Sequence, residues 1–284
     1  MMAKILLDPG HGPNDNPGVV LGYREGTAMY DYAHKHLAPI LRSTGHMVDI
    51  TRNTITDNPS LTARGKGAKG FDLFVSLHSN AEGGGGKGTA RGVSVYYSVN
   101  RKGDAGLAVA MGNAVAGVMG SYLRGAKTRP SETRPGYDYY TVIDQAAQVG
   151  CMHVLLVEHG FHTNAGECMW LMDDSNLKRM ALGECAVITE ALTGQPMPPV
   201  MLPLPEGLPP PEVPPKTIET PTLYYGDTGE AIIRLQRLLA AKGYGVVVDG
   251  TYGQQTDAAV RAFQVVCFMP NYGICESSTW HMLQ

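Results

Sequence analysis

The chain has no apolar run long enough to cross a bilayer, no excess of positive charge and no closely spaced cysteine pair. A membrane-spanning helix needs about 20 consecutive apolar residues, and a nucleic-acid partner calls for a basic stripe. The net charge here is -3 at pH 7. These absences exclude stable insertion into a membrane and argue against nucleic acid as a main partner.

The chain also lacks a signal-peptide pattern, because only Ile5-Leu6-Leu7 precedes the polar turn at Asp8 and Pro9. We therefore expect the protein to be made and folded in the cytoplasm. Its cysteines are odd in number and form no CxxC motif, so neither a cysteine zinc site nor a Cys–His protease has a local signature. Reduced, buried thiols fit this compartment. The cysteines are Cys151, Cys168, Cys185, Cys267 and Cys275.

What the chain does have is one segment, residues 196–221, that is dominated by proline. Proline restricts φ and removes a hydrogen-bond donor, so the segment is predicted to be an extended, semi-stiff linker. It divides the chain into a large domain, 1–195, and a small one, 222–284. A polyproline ligand for an adaptor protein is the weaker interpretation, since no clear PxxP array is present.

Strand-like and helix-like runs alternate in the large domain, which predicts an α/β fold with a mostly parallel twisted sheet and helices on both faces. The predicted strands are Lys4–Leu7, Met47–Thr51, Phe71–Leu77, Gly92–Tyr97, Tyr139–Ile143 and His153–Val157. The predicted helices are Glu25–Ser43, Ser60–Lys69, Ala105–Tyr122, Gly166–Met172 and Ser175–Leu192.

Three of the strand-like runs end in a residue that can bind a metal or carry a proton. These residues are His11, His78 and Glu158, and each is followed by a turn. The carboxyl ends of parallel strands meet at one edge of a sheet, where functional sites lie. With Glu25 at the start of the first helix, the set matches an open zinc site beside a general base.

The motifs around these residues resemble the zinc-dependent N-acetylmuramoyl-L-alanine amidases of the type 3 family, which cut peptidoglycan. The resemblance runs from about Ala3 to about Thr193. Its strength comes from the order and spacing of several blocks. The matching residues are Asp8-Pro9-Gly10-His11-Gly12, Glu25, Thr51-Arg52, Leu61, Arg64, Ser76-Leu77-His78-Ser79-Asn80-Ala81, Val157-Glu158-His159-Gly160-Phe161 and Asn164.

The resemblance implies a role for each residue. His11, Glu25 and His78 are expected to bind Zn²⁺ and to leave one position open. Glu158 is expected to take a proton from the attacking water and to pass it to the leaving amine. Zinc is preferred for this set of ligands, although raw affinity does not exclude other divalent metals.

Each of these residues also has a structural interpretation. His11 lies in Pro-Gly-His-Gly, a sequence that is typical of a turn. His78 could be a buried structural histidine at the end of a strand. Acidic residues are common at helix starts, so Glu25 could complement the helix dipole. Asp15 and Asp31 are competing acids near Glu25. Glu158 could be a structural acid paired with a neighbouring donor.

Three further residues are candidates for substrate contact or for orienting a ligand. Asp8 is predicted either to orient His11 as a hydrogen-bond acceptor or to hold the turn. His159 follows Glu158 on the same strand, so it should point to the opposite face. His159 or His162 is a candidate to hydrogen-bond the substrate or to stabilise an oxyanion.

The small domain resembles the type 1 peptidoglycan-binding domain, an all-α module of three helices. The resemblance departs from the usual pattern at Cys267-Phe268-Met269 and at Gly273-Ile274-Cys275. The matching residues are Gly226-Asp227, Gly229-Glu230, Leu235-Gln236, Gly243-Tyr244, Asp249-Gly250, Gly253, Thr256, Ala259-Val260, Phe263-Gln264 and Thr279-Trp280.

Together these features predict a Zn²⁺ amidase that cleaves the bond between N-acetylmuramic acid and L-alanine and binds bacterial peptidoglycan. The leading hypothesis is a phage endolysin that is made in the host cytoplasm and reaches the wall after a holin opens the membrane. The alternatives are a bacterial autolysin, a spore-related amidase and a zinc peptidase of the stem peptide. A catalytically dead wall-binding protein would be expected to lose a ligand or Glu158, and all four residues are present.

Overall fold

The computed structural model describes residues 2–83, 87–197, 221–266 and 273–283. These residues separate into two units, one within Met1–Pro203 and one within Leu204–Gln284. The linker predicted for residues 196–221 lies, apart from its ends, outside the described residues, and the domain bounds at 195 and 222 stay predictions. No helix in the described ranges is both long and apolar enough to span a membrane.

The first unit is built on a six-stranded sheet with the order β2-β1-β3-β6-β4-β5. Neighbouring strands are parallel except for β4 and β6, which are antiparallel. This confirms the predicted mostly parallel sheet. The strands are β1 (Lys4–Pro9), β2 (Met47–Ile50), β3 (Leu73–Asn80), β4 (Val93–Tyr97), β5 (Leu123–Lys127) and β6 (His153–Phe161).

Helices cover both faces of this sheet, as predicted. Ile5 and Leu7 of β1 belong to the larger core cluster, whereas Leu6 belongs to a second cluster on the opposite face. Because both faces are buried, the strands are continuous apolar runs rather than alternating ones. The helices of this unit are α1 (Glu25–Asp31), α2 (Ala38–Ser43), α3 (Leu61–Lys66), α4 (Ala105–Met119), α5 (Thr141–Gln148), α6 (Ala165–Trp170) and α7 (Asp174–Thr193).

The predicted helix over 25–43 is interrupted by a π-helical segment, Tyr32–Leu37, between α1 and α2. Pro39 lies at the start of α2 and has no N–H to donate to the preceding turn. A wider π turn just before a proline lets the helix continue without that hydrogen bond. Glu25 is the first residue of α1, so this helix positions a predicted metal ligand.

Two elements differ from the sequence prediction. The strand predicted for Tyr139–Ile143 is wrong, because α5 begins at Thr141 and packs Val142, Ile143 and Ala146 into the second core cluster. Its β-branched residues mimic a strand, and tertiary packing overrides that preference. The edge strand β5 was missed because its sequence, LRGAK, carries two cations and a glycine and has no apolar pattern.

The second unit is helical, as predicted, and its described residues contain α8 (Glu230–Ala241), α9 (Gln254–Val266) and α10 (Ser277–Leu283). Trp280 is fully buried in its core with Leu235 and Val260. The buried amide of Gln236 accepts from the backbone N–H groups of Asp249 and Gly250 at 3.0 and 2.9 Å. One polar side chain thereby holds the loop between α8 and α9.

Candidate metal centre and active-site cleft

The turn after β1 carries His11 to the carboxyl edge of the sheet. The Gly10 N–H donates to the Leu77 carbonyl at 2.8 Å, which ties the turn to β3. A Cβ atom on Gly10 would lie 2.3 Å from Cε1 of His78, so only glycine permits this approach. His11 itself adopts φ of 60°, a left-handed conformation that costs a non-glycine residue free energy and is concentrated at functional sites.

Glu25 is buried at the start of α1 and faces the ends of β1 and β3. Its Oε1 accepts from the Ser79 N–H at 2.9 Å. The helix can approach the His11 turn closely because residue 26 is glycine: a Cβ there would lie 1.7 Å from the Gly12 carbonyl oxygen. The small residues on both sides of this contact therefore determine where the Glu25 carboxylate lies.

His11, Glu25 and His78 form the cluster predicted from the sequence. Each offers one ligand atom, and the three atoms lie within 4.8 Å of one another. Glu25 Oε1 is 3.3 Å from His11 Nε2 and 3.1 Å from His78 Nδ1. A tetrahedral zinc site with metal–ligand distances of about 2.0–2.1 Å has edges of roughly this length. Two imidazoles and one carboxylate therefore fit a zinc ion by both chemistry and spacing.

In this cluster the Glu25 carboxylate and the two histidine rings stabilise one another's charged forms. Burial by itself would raise the pKa of Glu25, but hydrogen bonds and charge from His11 and His78 hold that pKa well below its usual range. Burial opposes protonation of His78, yet the adjacent Glu25 carboxylate outweighs it and raises the pKa of His78. A cation is therefore favoured between these groups, whether it is a proton or a metal ion.

Glu158 lies beside the cluster, at the position of β6 that pairs with His78 of β3. Its side chain is buried, and Oε2 has no hydrogen-bond partner among the described residues. Burial raises the pKa of Glu158 to about 7; the charge on His78 opposes this shift and the Glu25 carboxylate adds to it. A carboxyl group with a free oxygen and a pKa near neutrality is suited to exchange protons with a bound molecule.

Asp8 supports the cluster by a route that differs from the prediction. It was expected to orient His11 or to hold the turn, but its oxygens accept from Thr51 Oγ1 at 2.6 Å and Ser76 Oγ at 2.7 Å. Ser76 Oγ is in turn 3.1 Å from His78 Nε2. This series of hydrogen bonds from Asp8 through Ser76 to His78 favours a proton on Nε2 of His78 and leaves Nδ1 for a metal. A hydrogen bond to one ring nitrogen determines the histidine tautomer in this way.

Two buried arginines hold the loops that carry the cluster. Arg64 donates to the main-chain oxygens of Pro9 and His11 at 3.0 and 2.6 Å. Arg52 donates to the Gly26 carbonyl, next to Glu25, at 2.7 Å. Most hydrogen bonds of both arginines go to backbone carbonyls, which keeps the loops in place. Arg64 Nη1 also lies 3.8 Å from Asp8 Oδ1.

His159 points away from the cleft, as the strand alternation predicts. It is fully buried, with Nδ1 2.8 Å from the His78 carbonyl oxygen and Nε2 2.6 Å from Glu184 Oε1. The Tyr32 hydroxyl donates to the other Glu184 oxygen at 2.9 Å. Contact with substrate, one of the roles considered for His159, is excluded by this burial. The residue instead holds the strand behind His78.

His162 does reach the cleft. Its Nδ1 lies 2.9 Å from Ser79 Oγ and 3.8 Å from Glu25 Oε2. Burial lowers the pKa of His162, which favours the neutral ring, although the Glu25 carboxylate opposes this shift. Asn16 is a further contact that no sequence signal indicated: its amide donates to Glu25 Oε2 at 3.0 Å and lies 3.0 Å from His11 Nε2. Only the folded loop reveals that Asn16 bridges two ligands.

These groups line a cleft of about 450 Å³. One side is polar and carries the metal cluster, Glu158 and His162. The rest of the lining is mostly apolar and aromatic, and includes Leu61, Tyr139, Tyr140, Val142 and Leu156. Sites of this size, with a few convergent polar groups, bind small molecules or short polymer segments.

The fold and the site define an α/β protein with a His–Glu–His metal cluster and a buried proton carrier at the carboxyl edge of its sheet. Residues 5–190 match the N-acetylmuramoyl-L-alanine amidase family. The chain belongs to that family of peptidoglycan amidases. Residues 228–283 match a peptidoglycan binding domain family.

Several solved amidase structures are similar to the first unit of this chain. The catalytic domain of CwlV, an N-acetylmuramoyl-L-alanine amidase from Bacillus (Paenibacillus) polymyxa, is 27% identical over 67% of this chain and 98% of that one, with a TM-score of 0.55. Cwp6 from Clostridium difficile is 26% identical over 67% of this chain and 29% of its own, with a TM-score of 0.55. AmiC2 of Nostoc punctiforme shares the fold. It is 22% identical over 67% of this chain and 97% of its own, with a TM-score of 0.52. No curated protein sequence matches the chain.

Proposed function

We propose that the protein is a zinc-dependent amidase that hydrolyses the bond between N-acetylmuramic acid and L-alanine in peptidoglycan. The observation that carries this proposal is Glu158. Its carboxyl group is buried beside the metal cluster, its Oε2 has no partner among the described residues, and its pKa lies at about 7. An unpartnered buried carboxyl group costs stability, so a role in proton transfer accounts for it better than a structural role.

His11, Glu25 and His78 would hold the zinc ion. When bound, zinc supplies a Lewis acid for the scissile carbonyl and a means of lowering the pKa of water to about 7. Glu158 accepts the proton of the attacking water and delivers it to the nitrogen of the leaving alanine. With the Ser79 hydroxyl donating to Nδ1 of His162, the neutral ring carries its proton on Nε2, which would donate to the oxyanion.

The first test is a digestion of purified peptidoglycan followed by assays of new amino and reducing ends. New N-terminal alanine without new reducing ends, lost with a chelator and restored by Zn²⁺, is the expected result. New amino ends on other residues would instead identify a stem-peptide peptidase, and new reducing ends would identify a glycosidase. Glu158→Gln should lose nearly all activity while retaining the metal. The exposed Glu190→Gln, on α7, is the matched control.

We further propose that the chain acts as a phage endolysin. It would be made in the host cytoplasm and would reach the wall after a holin opens the membrane. The pairing of an amidase family with a wall-binding family in one chain supports action on the cell wall, which an endolysin requires. A bacterial autolysin or a spore-related amidase would carry the same pair.

Expression in a bacterium with and without a co-expressed holin separates these roles. Lysis that depends on the holin, followed as loss of optical density, is expected for an endolysin. Lysis without the holin would mean that the protein reaches the wall by another route, which is the behaviour of an autolysin. The inactive Glu158→Gln variant measures the lysis that the holin causes alone.

A further inference from the structure

The aromatic side of the cleft is the feature that the proposed reaction leaves unused. Tyr139 and Tyr140 line the same cavity as Glu158 and His11. Tyr139 remains 48% exposed although it lies in a structured loop. Their ring centroids are 5.2 Å apart and the rings are nearly perpendicular. An exposed aromatic surface inside a catalytic cleft, rather than on open surface, indicates a ligand contact.

The loop that presents these rings is held rigidly. The Tyr139 N–H donates to the Arg129 carbonyl at 2.8 Å, which closes the loop on itself. The carboxylate of Asp138, which is buried, accepts from the Ser98 hydroxyl at 2.6 Å and from the Val99 N–H at 2.8 Å. The loop is therefore attached to the end of β4, and little ordering of the backbone is required when a ligand arrives.

Arg129 fixes the orientation of both rings. Its guanidinium carbon lies 3.5 Å from the centroid of Tyr139, and its Nη1 donates to the Tyr140 hydroxyl at 3.4 Å. The Tyr140 ring also packs on Tyr96, with centroids 4.9 Å apart. Arg129 covers one side of Tyr139, and the exposed remainder of the ring is available to a second group.

The scissile amide joins two groups of very different shape, and this decides which of them the tyrosines accept. On the amine side is alanine, whose methyl group is far smaller than an aromatic ring. On the acyl side is a lactyl group joined through an ether oxygen to the pyranose ring of muramic acid, which presents a ring-sized face of C–H groups. The electron-rich face of a tyrosine ring attracts such polarised hydrogens. Of these two groups, the sugar ring is the one that matches the aromatic wall in size.

We infer that Tyr139 and Tyr140 form a subsite for the pyranose ring of N-acetylmuramic acid, in the same cleft as the metal cluster. This inference rests on the proposed amidase function. It assigns the acyl side of the substrate to the aromatic wall and the stem peptide to the remainder of the cleft. Specificity for wall glycan, as distinct from any acylated alanine peptide, would then come from this loop.

The test compares two soluble substrates that share the scissile bond. One is N-acetylmuramoyl-pentapeptide, and the other is the same peptide acylated by D-lactate alone, without the sugar. Tyr139→Ala should lower kcat/KM about tenfold for the muramoyl substrate and leave the lactoyl peptide within twofold. Tyr139→Phe, which keeps the ring, should retain near wild-type rates on both substrates.

Tyr122 provides a matched control. It is 47% exposed, and the guanidinium of Arg91 lies over its ring at 5.7 Å, but it is not one of the residues that line the cleft. Tyr122→Ala should change neither rate. An equal loss on both substrates in Tyr139→Ala would overturn the inference, because the loop would then contact the peptide or act only through structure. No loss on either substrate would overturn it as well.

A binding measurement separates this inference from the proposed function. N-acetylmuramic acid alone, at millimolar concentration, should perturb the NMR signals of Tyr139 in the wild-type protein and those of Tyr122 should not move. If the protein hydrolyses neither substrate but the sugar still perturbs Tyr139, the amidase proposal fails and the subsite stands. If hydrolysis proceeds and the sugar leaves Tyr139 unperturbed, the subsite assignment fails alone.

Discussion

Glu158 links stability to function at the scale of one residue. Burial raises its pKa from 4.5 to about 7. Between these values the folded protein holds a proton that the unfolded chain has released, so stability is lost as the pH rises through this window. The carboxyl group that is suited to catalysis therefore destabilises the folded protein above neutral pH.

We expect Glu158→Gln to be more stable than the wild type at pH 8, by about 1–3 kcal/mol of unfolding free energy. The two proteins should approach equal stability at pH 5, where the folded carboxyl group is protonated. Denaturant unfolding in the presence of a chelator measures both values, and Glu190→Gln controls for a charge change on the surface. Equal stability at both pH values would contradict burial as the cause of the raised pKa.

Replacing Ser76 tests the series of hydrogen bonds that runs from Asp8 through Ser76 to His78. Removing its hydroxyl leaves His78 without the partner that holds the proton on Nε2. We expect Ser76→Ala to weaken Zn²⁺ affinity by about 10–100-fold while the fold is retained, as is typical of hydrogen bonds behind a metal ligand. Competition with a coloured chelator measures the affinity. Ser94→Ala, a buried serine on β4, should bind zinc like the wild type.

At the scale of elements, the site depends on how closely α1 approaches the turn after β1. A methyl group on Gly26 would collide with the Gly12 carbonyl oxygen, and backbone cannot give way as a side chain can. We expect Gly26→Ala to displace Glu25 and to lower Zn²⁺ affinity at least tenfold, measured by calorimetry. Gly106→Ala, in the first turn of α4, meets nothing within 4 Å and should stabilise the protein by about 0.4–1 kcal/mol.

The His159–Glu184 pair joins β6 to α7 through a fully buried contact. Removing one member of such a pair leaves the other charged group buried and uncompensated. We expect Glu184→Ala to lose about 3–5 kcal/mol of unfolding free energy in chemical denaturation. Glu190→Ala, exposed on the same helix, should change stability by less than about 0.5 kcal/mol. A loss below 1 kcal/mol at Glu184 would mean that the pair contributes little.

At the scale of the whole molecule, the two units allow catalysis and wall binding to be separated. A chain of residues 1–203 contains the complete amidase unit. We expect it to hydrolyse soluble muramoyl-peptide at the full rate and to act on intact walls more slowly, because a tethered enzyme works at a raised effective substrate concentration. Release of new N-terminal alanine from walls measures the difference. Equal rates on walls would rule out targeting by the second unit.

The sequence by itself determined the class of fold, the order of most elements and most of the residues that gather at the site. Long apolar runs predict buried parallel strands, and His11, His78 and Glu158 at their ends share the sheet edge that parallel topology creates. Glu25 could be included only through the motif resemblance, because an acid at a helix start is otherwise ordinary.

Only the tertiary structure decided the features that depend on contacts between distant segments. Residues 139–143 have strand-like composition, yet Thr141 starts a helix because packing against the sheet outweighs local preference. Asn16, the Ser76 link from Asp8 to His78 and the aromatic wall of Tyr139 and Tyr140 have no periodic signal. They arise from loop geometry and side-chain direction, which a one-dimensional pattern does not specify.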